Sequence, residues 1–252
     1  MYTLIKNIAK VILPKSLLQK NERLLRKLVA LQYRGDEHQC NLCDYKLNKF
    51  VAIQSGDLLC PSCGSNGRAR SLWKFLEPKL ADKRVLHFSP PSSLKTKIEK
   101  HGNTTQYTAT DYVGEFETEN HIDIQDIDLP DNNFDLIICY HVLEHVARDQ
   151  AALKELYRVL AVGGHCYVQT PFKDGETYED PSIKNEADRL KHYGQKDHLR
   201  IYSAKGLKMR MEAAGFAVTV TETKLPSVNY YGLKALDIIL EGSKWHESKF
   251  LK

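Results

Sequence analysis

Four of the six cysteines fall as two pairs, Cys40-x-x-Cys43 and Cys60-x-x-Cys63, with residues 44–59 between them. In a Cys-x-x-Cys turn two thiolates converge while intervening backbone N–H groups support the sulfurs, so two such turns supply the corners of a tetrahedral site. Zinc is the expected ion, and four protein ligands make the site closed and structural. Two disulfides or four reduced structural thiols are the alternatives. No apolar h-region precedes a small-residue cleavage pattern, so a cytoplasmic chain is expected, where disulfides are disfavoured. Phe50-Val51-Ala52-Ile53 and Ser55-Gly56-Asp57 read as strand and turn of a hairpin between the pairs, and Gly64 suits a tight turn. Cys139 and Cys166 lie in apolar runs and read as buried small hydrophobes.

A second set of residues could move protons. Imidazole titrates near neutrality, which makes His141, His145 and His198 candidate general bases, with His192 a further one. For His145 the structural alternative is to cap or pack a helix start. Asp197 and Arg200, beside His198, could form a structural pair instead.

These residues need a scaffold. From about residue 84 short β-rich runs alternate with helical patterns, which predicts a parallel sheet covered on both faces. Strands are expected at Arg84–Phe88, Tyr107–Thr110, His121–Asp123, Asp135–Cys139, His165–Thr170, Ala217–Thr221 and Asp237–Glu241. Helices are expected over Leu94–Lys100, over Arg148–Leu160 ended by Gly163-Gly164, and over Ala204–Ala214 stopping at Gly215. Residues 172–202 read as a long irregular insertion with Phe172, Tyr178, His192 and Tyr193, an acceptor lid.

The 252 residues hold 42% hydrophobic and 27% charged side chains, which excludes a wholly disordered chain and points to one main core. The net charge of +4 is concentrated: residues 1–35 carry eight Lys or Arg against Glu22 alone, and the remainder is net negative. No stretch reaches the length of a membrane span, since Lys6 and Lys10 break the first apolar run before Pro14. Leu17, Leu18, Leu24, Leu25, Leu28 and Leu31 make an apolar stripe flanked by bases. Such a helix is expected to pack on its own domain or on a second copy as a homo-oligomer, the alternative being an anionic membrane surface. Three parts follow: a basic helical segment (1–35), a zinc ribbon (36–70) and a catalytic domain (71–252) with the insertion 172–202.

The run Leu129-Pro-Asp-Asn-Asn-Phe-Asp135-Leu-Ile-Ile-Cys-Tyr-His-Val-Leu-Glu-His145, continuing to Glu155-Leu-Tyr-Arg-Val-Leu160 and Gly163-Gly164, resembles class I S-adenosylmethionine-dependent methyltransferases of the methyltransferase-11 type. The resemblance covers roughly residues 84–241. Cys60-Pro-Ser-Cys-Gly-Ser-Asn-Gly-Arg68 and Asp197-His-Leu-Arg200 are similar to a bacterial subgroup that adds a cysteine ribbon. It implies an α/β, doubly wound, seven-stranded, mostly parallel Rossmann-like sheet of order 3-2-1-4-5-7-6, its penultimate strand antiparallel. S-adenosylmethionine would lie across the carboxyl ends of strands 1 to 4, where open α/β sheets bind ligands. The resemblance places Asp111 on the ribose hydroxyls, Asp123 and the Ile124 backbone at adenine with Asp126 as a near competitor, and Tyr140 and His141 at the methionine end. The family's acidic residue and Gly-x-Gly after strand 1 are replaced by Val85-Leu-His-Phe-Ser-Pro-Pro-Ser-Ser93, a departure that leaves His87, Ser89, Ser92 and Ser93 as polar substitutes.

Three functions follow. The first is methyl transfer to a small-molecule or sugar-like acceptor. The second is RNA base methylation, with the basic N-terminus, Arg68 and Arg70 on phosphates; the net-negative remainder speaks against it. The third is a non-catalytic binding protein on the same fold.

Overall fold

The computed structural model describes residues 15–53, 56–111, 118, 120–234 and 236–245. Two compact units emerge, one of Met1–Lys79, Pro91–His101 and Lys224–Asp237, the other of Leu80–Pro90, Gly102–Thr223 and Ile238–Lys252.

The first unit opens with helix α1 (Lys15–Ala30) and a 3₁₀ turn, Leu31–Tyr33. Two small antiparallel hairpins follow, β1 (Arg34–Gln39) with β2 (Lys46–Leu47) and β3 (Val51–Ala52) with β4 (Leu58–Leu59). The second is the hairpin expected between the cysteine pairs, turned at Gly56 with φ 77°; Ser55 lies outside the described residues. Helix α2 (Gly67–Leu76) starts where the Asn66 side chain accepts a 2.9 Å bond from the Ala69 amide, satisfying a donor left open by helix geometry. Its Ala69, Leu72, Trp73 and Leu76 are buried. Helix α3 (Ser92–His101) buries Leu94 and Ile98, one turn apart, and His101 meets the Trp73 ring edge-on at 5.2 Å.

Within α1 and the turn after it, Leu24, Leu28 and Leu31 are exposed. The side chains of Leu17 and Leu18 lie outside the described residues, as do Lys6, Lys10 and Pro14. Among the described residues no helix is long and apolar enough to cross a membrane.

The second unit is organised by the sheet β6-β5-β7-β8-β10-β9, formed by β5 (Arg84–Phe88), β6 (Gln106–Thr110), β7 (Phe134–Tyr140), β8 (Leu160–Gln169), β9 (Ala217–Lys224) and β10 (Leu236–Ser243). Pairs β5–β6, β5–β7 and β7–β8 are parallel, and β10 runs antiparallel to β8. This is the implied order without its edge strand: six strands instead of seven among the described residues. The expected third strand, His121–Asp123, makes only isolated bridges, Thr110 with Asn120 and Asp123 with Asp126. The Asp123 carboxylate accepts the Gln125 amide at 2.8 Å, a local turn that bends the chain before a ladder can extend.

Two further corrections concern the helices α4 (Asp149–Val159), α5 (Glu186–Tyr193) and α6 (Ala204–Ala213). Strand β8 starts at Leu160 straight after α4, so Gly163-Gly164 do not end the helix. They sit inside the strand, where Gly163 has φ 79° and the register jumps from Phe134–Leu160 to Leu136–His165, an irregularity glycine accommodates. The insertion is not structureless, because it contains α5, capped by Asn185 on the Asp188 amide at 2.9 Å and closed by Gly194.

Leu86, Phe88, Ile137, Cys139, Cys166 and Val168 form one face of the sheet's core with Leu153, Leu156 and Leu160. Burial pushes the thiol pKa of Cys139 and Cys166 up, as expected for inert packing cysteines.

Candidate functional site

In the first unit the four cysteines converge. Cys40 Sγ lies 3.7 Å from Cys63 Sγ and Cys43 Sγ 3.8 Å from Cys60 Sγ. These separations exceed a disulfide bond of ~2.05 Å, and they equal the ~3.75 Å edge of a tetrahedron of sulfurs ~2.3 Å from a central ion. The two turns share one hydrogen-bond pattern. The Asp44 amide donates to the Cys40 carbonyl at 2.8 Å and the Cys40 amide to Tyr45 at 3.0 Å; Gly64 donates to Cys60 at 2.9 Å and Cys60 to Ser65 at 2.8 Å. Asp44 and Gly64 occupy the same place in each turn, both left-handed with φ 58° and 76°.

Arg70 holds this module from within, at 0% exposure. Its guanidinium donates to the carbonyls of Ser65 (2.6 Å), Leu58 (2.7 Å), Tyr231 (2.8 Å) and Gly232 (2.6 Å), and it lies 4.2 Å above the Phe50 ring. The expectation that Arg70 faces phosphates is therefore corrected: its donors serve internal carbonyls.

In the second unit, strand order reverses between β5 and β7, and open α/β sheets bind ligands at the carboxyl ends of their strands where the order reverses. Phe88 is level with Thr110 and Cys139 in the ladders, which puts Ser89 and Asp111 just past their strands and Tyr140 at the last position of β7, on three adjacent strand ends. Ser89 has φ 47°, the left-handed backbone that glycine favours, and its hydroxyl donates to Asp111 Oδ1 at 2.9 Å. The Ser89 amide donates to the Thr110 carbonyl at 2.7 Å. Asp111 is 3% exposed, its amide bonds the Asn120 carbonyl at 3.1 Å, and its own carbonyl meets His121 Nδ1 at 2.8 Å. Serine thus takes a conformation that glycine favours and adds a hydroxyl directed at Asp111. Ser92 and Ser93 begin α3 in the first unit.

His87 is fully buried within β5, with Nδ1 3.0 Å from the Tyr107 hydroxyl, and burial lowers its pKa to about 3. Ile124 is a core residue, and Tyr140 is buried at the end of β7.

The histidines gather around the turn after β7. His141 has φ 57°, its amide donates to the Gln169 carbonyl at 2.8 Å, and its Nδ1 lies 3.1 Å from Glu144 Oε1. His145 Nδ1 lies 3.2 Å from Asp197 Oδ2, and its ring meets His198 edge-on at 4.7 Å. Burial lowers the His198 pKa, helped by the neighbouring His145. The Asp197-His-Leu-Arg200 segment is laced to the same turn. The Leu199 amide donates to Glu144 at 2.8 Å, and Arg200 donates to the carbonyls of Leu143 (3.2 Å), Val146 (2.5 Å) and Ala147 (3.1 Å). Asp197 pairs with His145, and Arg200 with Glu179 at 2.8 Å, so the expected Asp197–Arg200 pair is replaced by these two. His192 sits on α5 with Nδ1 2.8 Å from the Tyr178 hydroxyl. Glu144, buried with its carboxylate on His141 and its backbone carbonyl on the Leu199 amide, carries no signal of burial in the sequence.

A family profile described as a methyltransferase domain matches residues 52–221, more than half of the chain. No curated protein sequence matches. Among solved structures, an S-adenosylmethionine-dependent methyltransferase of Thermotoga maritima superposes with a TM-score of 0.52 at 16% identity, covering 71% of this chain and 90% of its own. The YcgJ protein of Bacillus subtilis gives 0.51 at 16% identity over 70% of this chain and 98% of its own. An S-adenosylmethionine-dependent methyltransferase of Archaeoglobus fulgidus gives 0.50 at 15% identity, covering 70% and 92%. The sheet order, the parallel ladders and the profile match agree: the chain belongs to the methyltransferase-domain family and has the fold of the class I S-adenosylmethionine-dependent methyltransferases.

Proposed function

We propose that the chain transfers a methyl group from S-adenosylmethionine to a small-molecule or sugar-like acceptor, and that its four thiolates hold one zinc ion. The observation that carries the first part is the buried Asp111 carboxylate at the carboxyl end of β6, fixed by Ser89. One carboxylate can accept both hydroxyls of a ribose, and a left-handed residue beside it lets the backbone approach a ligand closely. The second part rests on sulfur separations that fit a tetrahedral ion. A cytosolic setting suits it, because thiols stay reduced there.

S-adenosylmethionine supplies a methyl carbon already activated by a sulfonium leaving group. The chain's residues then have to bind, align and accept a proton. Asp111 and Ser89 hold the adenosyl sugar; the Asp123–Ile124 turn borders adenine, and Tyr140 borders the methionine end. His141 is the acceptor-side base: Glu144 Oε1 faces its Nδ1 at 3.1 Å, which fixes the ring, the relation a carboxylate has to a catalytic imidazole. His145 and His198, held by each other and by Asp197, are the remaining candidates. The insertion 172–202 is the lid over the acceptor.

Incubation with methyl-labelled S-adenosylmethionine, against a fractionated small-metabolite pool and against total RNA, tests the reading. Label is expected in the metabolite pool with stoichiometric S-adenosylhomocysteine, and an Asp111→Ala variant is expected to abolish it. Label confined to RNA would replace the acceptor class. No label with a protein that binds S-adenosylhomocysteine would leave a binding protein.

A further inference from the structure

We propose that Glu144, His145 and His198 form a second metal site, in the sheet-bearing unit, that takes a divalent cation of the manganese-to-zinc series. One ligand atom from each, a carboxylate oxygen and two ring nitrogens, lies within 4.8 Å of the other two. Ligands ~2.1 Å from one ion lie ~3.0–3.4 Å apart in octahedral or tetrahedral geometry, so the three close on a cation with side-chain shifts of at most about an ångström.

The surroundings of each group favour a ligand role. Glu144 is 1% exposed; Oε1 faces His141, while Oε2 is buried with no hydrogen-bond partner. A buried carboxylate oxygen without a donor is a costly arrangement that native structures rarely keep, and a cation removes that cost. His145 has Nδ1 against Asp197 Oδ2, the carboxylate-on-imidazole support usual for metal-ligating histidines, and this leaves Nε2 as its other nitrogen. His198 is buried and hydrogen-bonds the Tyr193 backbone, so it too has one nitrogen engaged by the fold and one remaining. Arg200 fixes the Glu144–His145 turn through the Leu143, Val146 and Ala147 carbonyls, and the Leu199 amide bonds the Glu144 carbonyl. The three ligands therefore sit on segments tied together independently of the ion.

The donor set selects the ion. Two imidazoles and one carboxylate are too soft for calcium and suit manganese, iron, cobalt or zinc. Three protein ligands also leave positions open, unlike the closed thiolate site. On the methyl-transfer reading, which this second step rests on, those positions would hold an oxygen of the acceptor. That points to an acceptor carrying a hydroxyl or carboxylate, whose bound hydroxyl would lose its proton more easily.

Mn2+ titration of the full chain with its thiolate site already zinc-loaded, followed by electron paramagnetic resonance, tests the site without turnover. About one Mn2+ per chain is expected to bind saturably, and His145→Gln, His198→Gln and Glu144→Gln are each expected to weaken it at least ~10-fold. The two histidine variants guard against a Glu144 variant that does not fold, and circular dichroism checks each. Absence of saturable Mn2+ binding, or affinity unchanged in both folded histidine variants, would overturn the site. S-adenosylhomocysteine binding by the same samples reports separately on the methyl-transfer reading.

Discussion

Asp111 is buried at the end of β6, with Ser89 donating at 2.9 Å, and the proposed function puts the cofactor's ribose against it. An Asp111→Asn substitution keeps the shape and removes the charge, so S-adenosylhomocysteine affinity should drop about 10- to 100-fold, the range for losing charge-assisted hydrogen bonds, as calorimetry would measure. A drop below twofold would remove Asp111 from the site. The loop before it taught a different lesson. Its lack of glycine was legible, but not that Ser89 would adopt φ 47°, because serine carries no positive-φ signal in a sequence. The spacing of the cysteines and the family resemblance at Asp111 were therefore legible, while the left-handed Ser89 and its bond to Asp111 needed coordinates. His87 gives a second test. Its native pKa of about 3 lies below the ~6.5 of an unfolded histidine, so only the unfolded chain takes up this proton between those values. The stability it contributes is present above pH 6.5 and lost as pH falls toward 3. Urea unfolding between pH 7 and pH 5 should lose up to ~1.4 kcal/mol per pH unit more in the native chain than in His87→Phe. Equal slopes would contradict this.

Among the elements, α2 and the hairpins are joined through Arg70, whose four carbonyl partners come from residues far apart in sequence. Arg70→Met should cost at least ~3 kcal/mol, because it strips donors from several buried carbonyls at once. Thermal unfolding measures it, and a change under ~1 kcal/mol would mean water replaces the guanidinium. Arg70 read as a phosphate ligand because sequence shows charge and not burial. Strands β5 and β7 were legible from their apolar runs, and α4 from Leu153, Leu156 and Tyr157 at helical spacing, although the pattern ran on into Leu160, which begins β8. Helix α5 was missed because it buries only Tyr193 and so has no apolar stripe, although its Asn185 cap and Gly194 stop were both in view. The third strand failed for a local reason, the Asp123 turn over Gln125.

At the scale of the molecule, the proposed function assigns a structural ion to the four thiolates of the first unit and methyl transfer to the strand ends of the second. Structural zinc contributes directly to folding of small ribbons. Purified protein should hold about one tightly bound zinc per chain, and its release by a thiol-modifying mercurial should lower the melting temperature of the ribbon-bearing unit. Full retention of stability with four titratable thiols and no metal would contradict a structural ion. The alternation of strand and helix showed a parallel sheet covered on both faces, and the family resemblance implied its order; the acceptor was not legible, since the fold serves many chemistries and only the site's lining selects one. The proposed cofactor site at the carboxyl ends of β5 and β7 is the centre of the whole reading. Isothermal titration of the zinc-loaded chain with S-adenosylhomocysteine tests it most directly: one site per chain with a micromolar Kd is predicted, and no heat at millimolar ligand with correctly folded protein would contradict it.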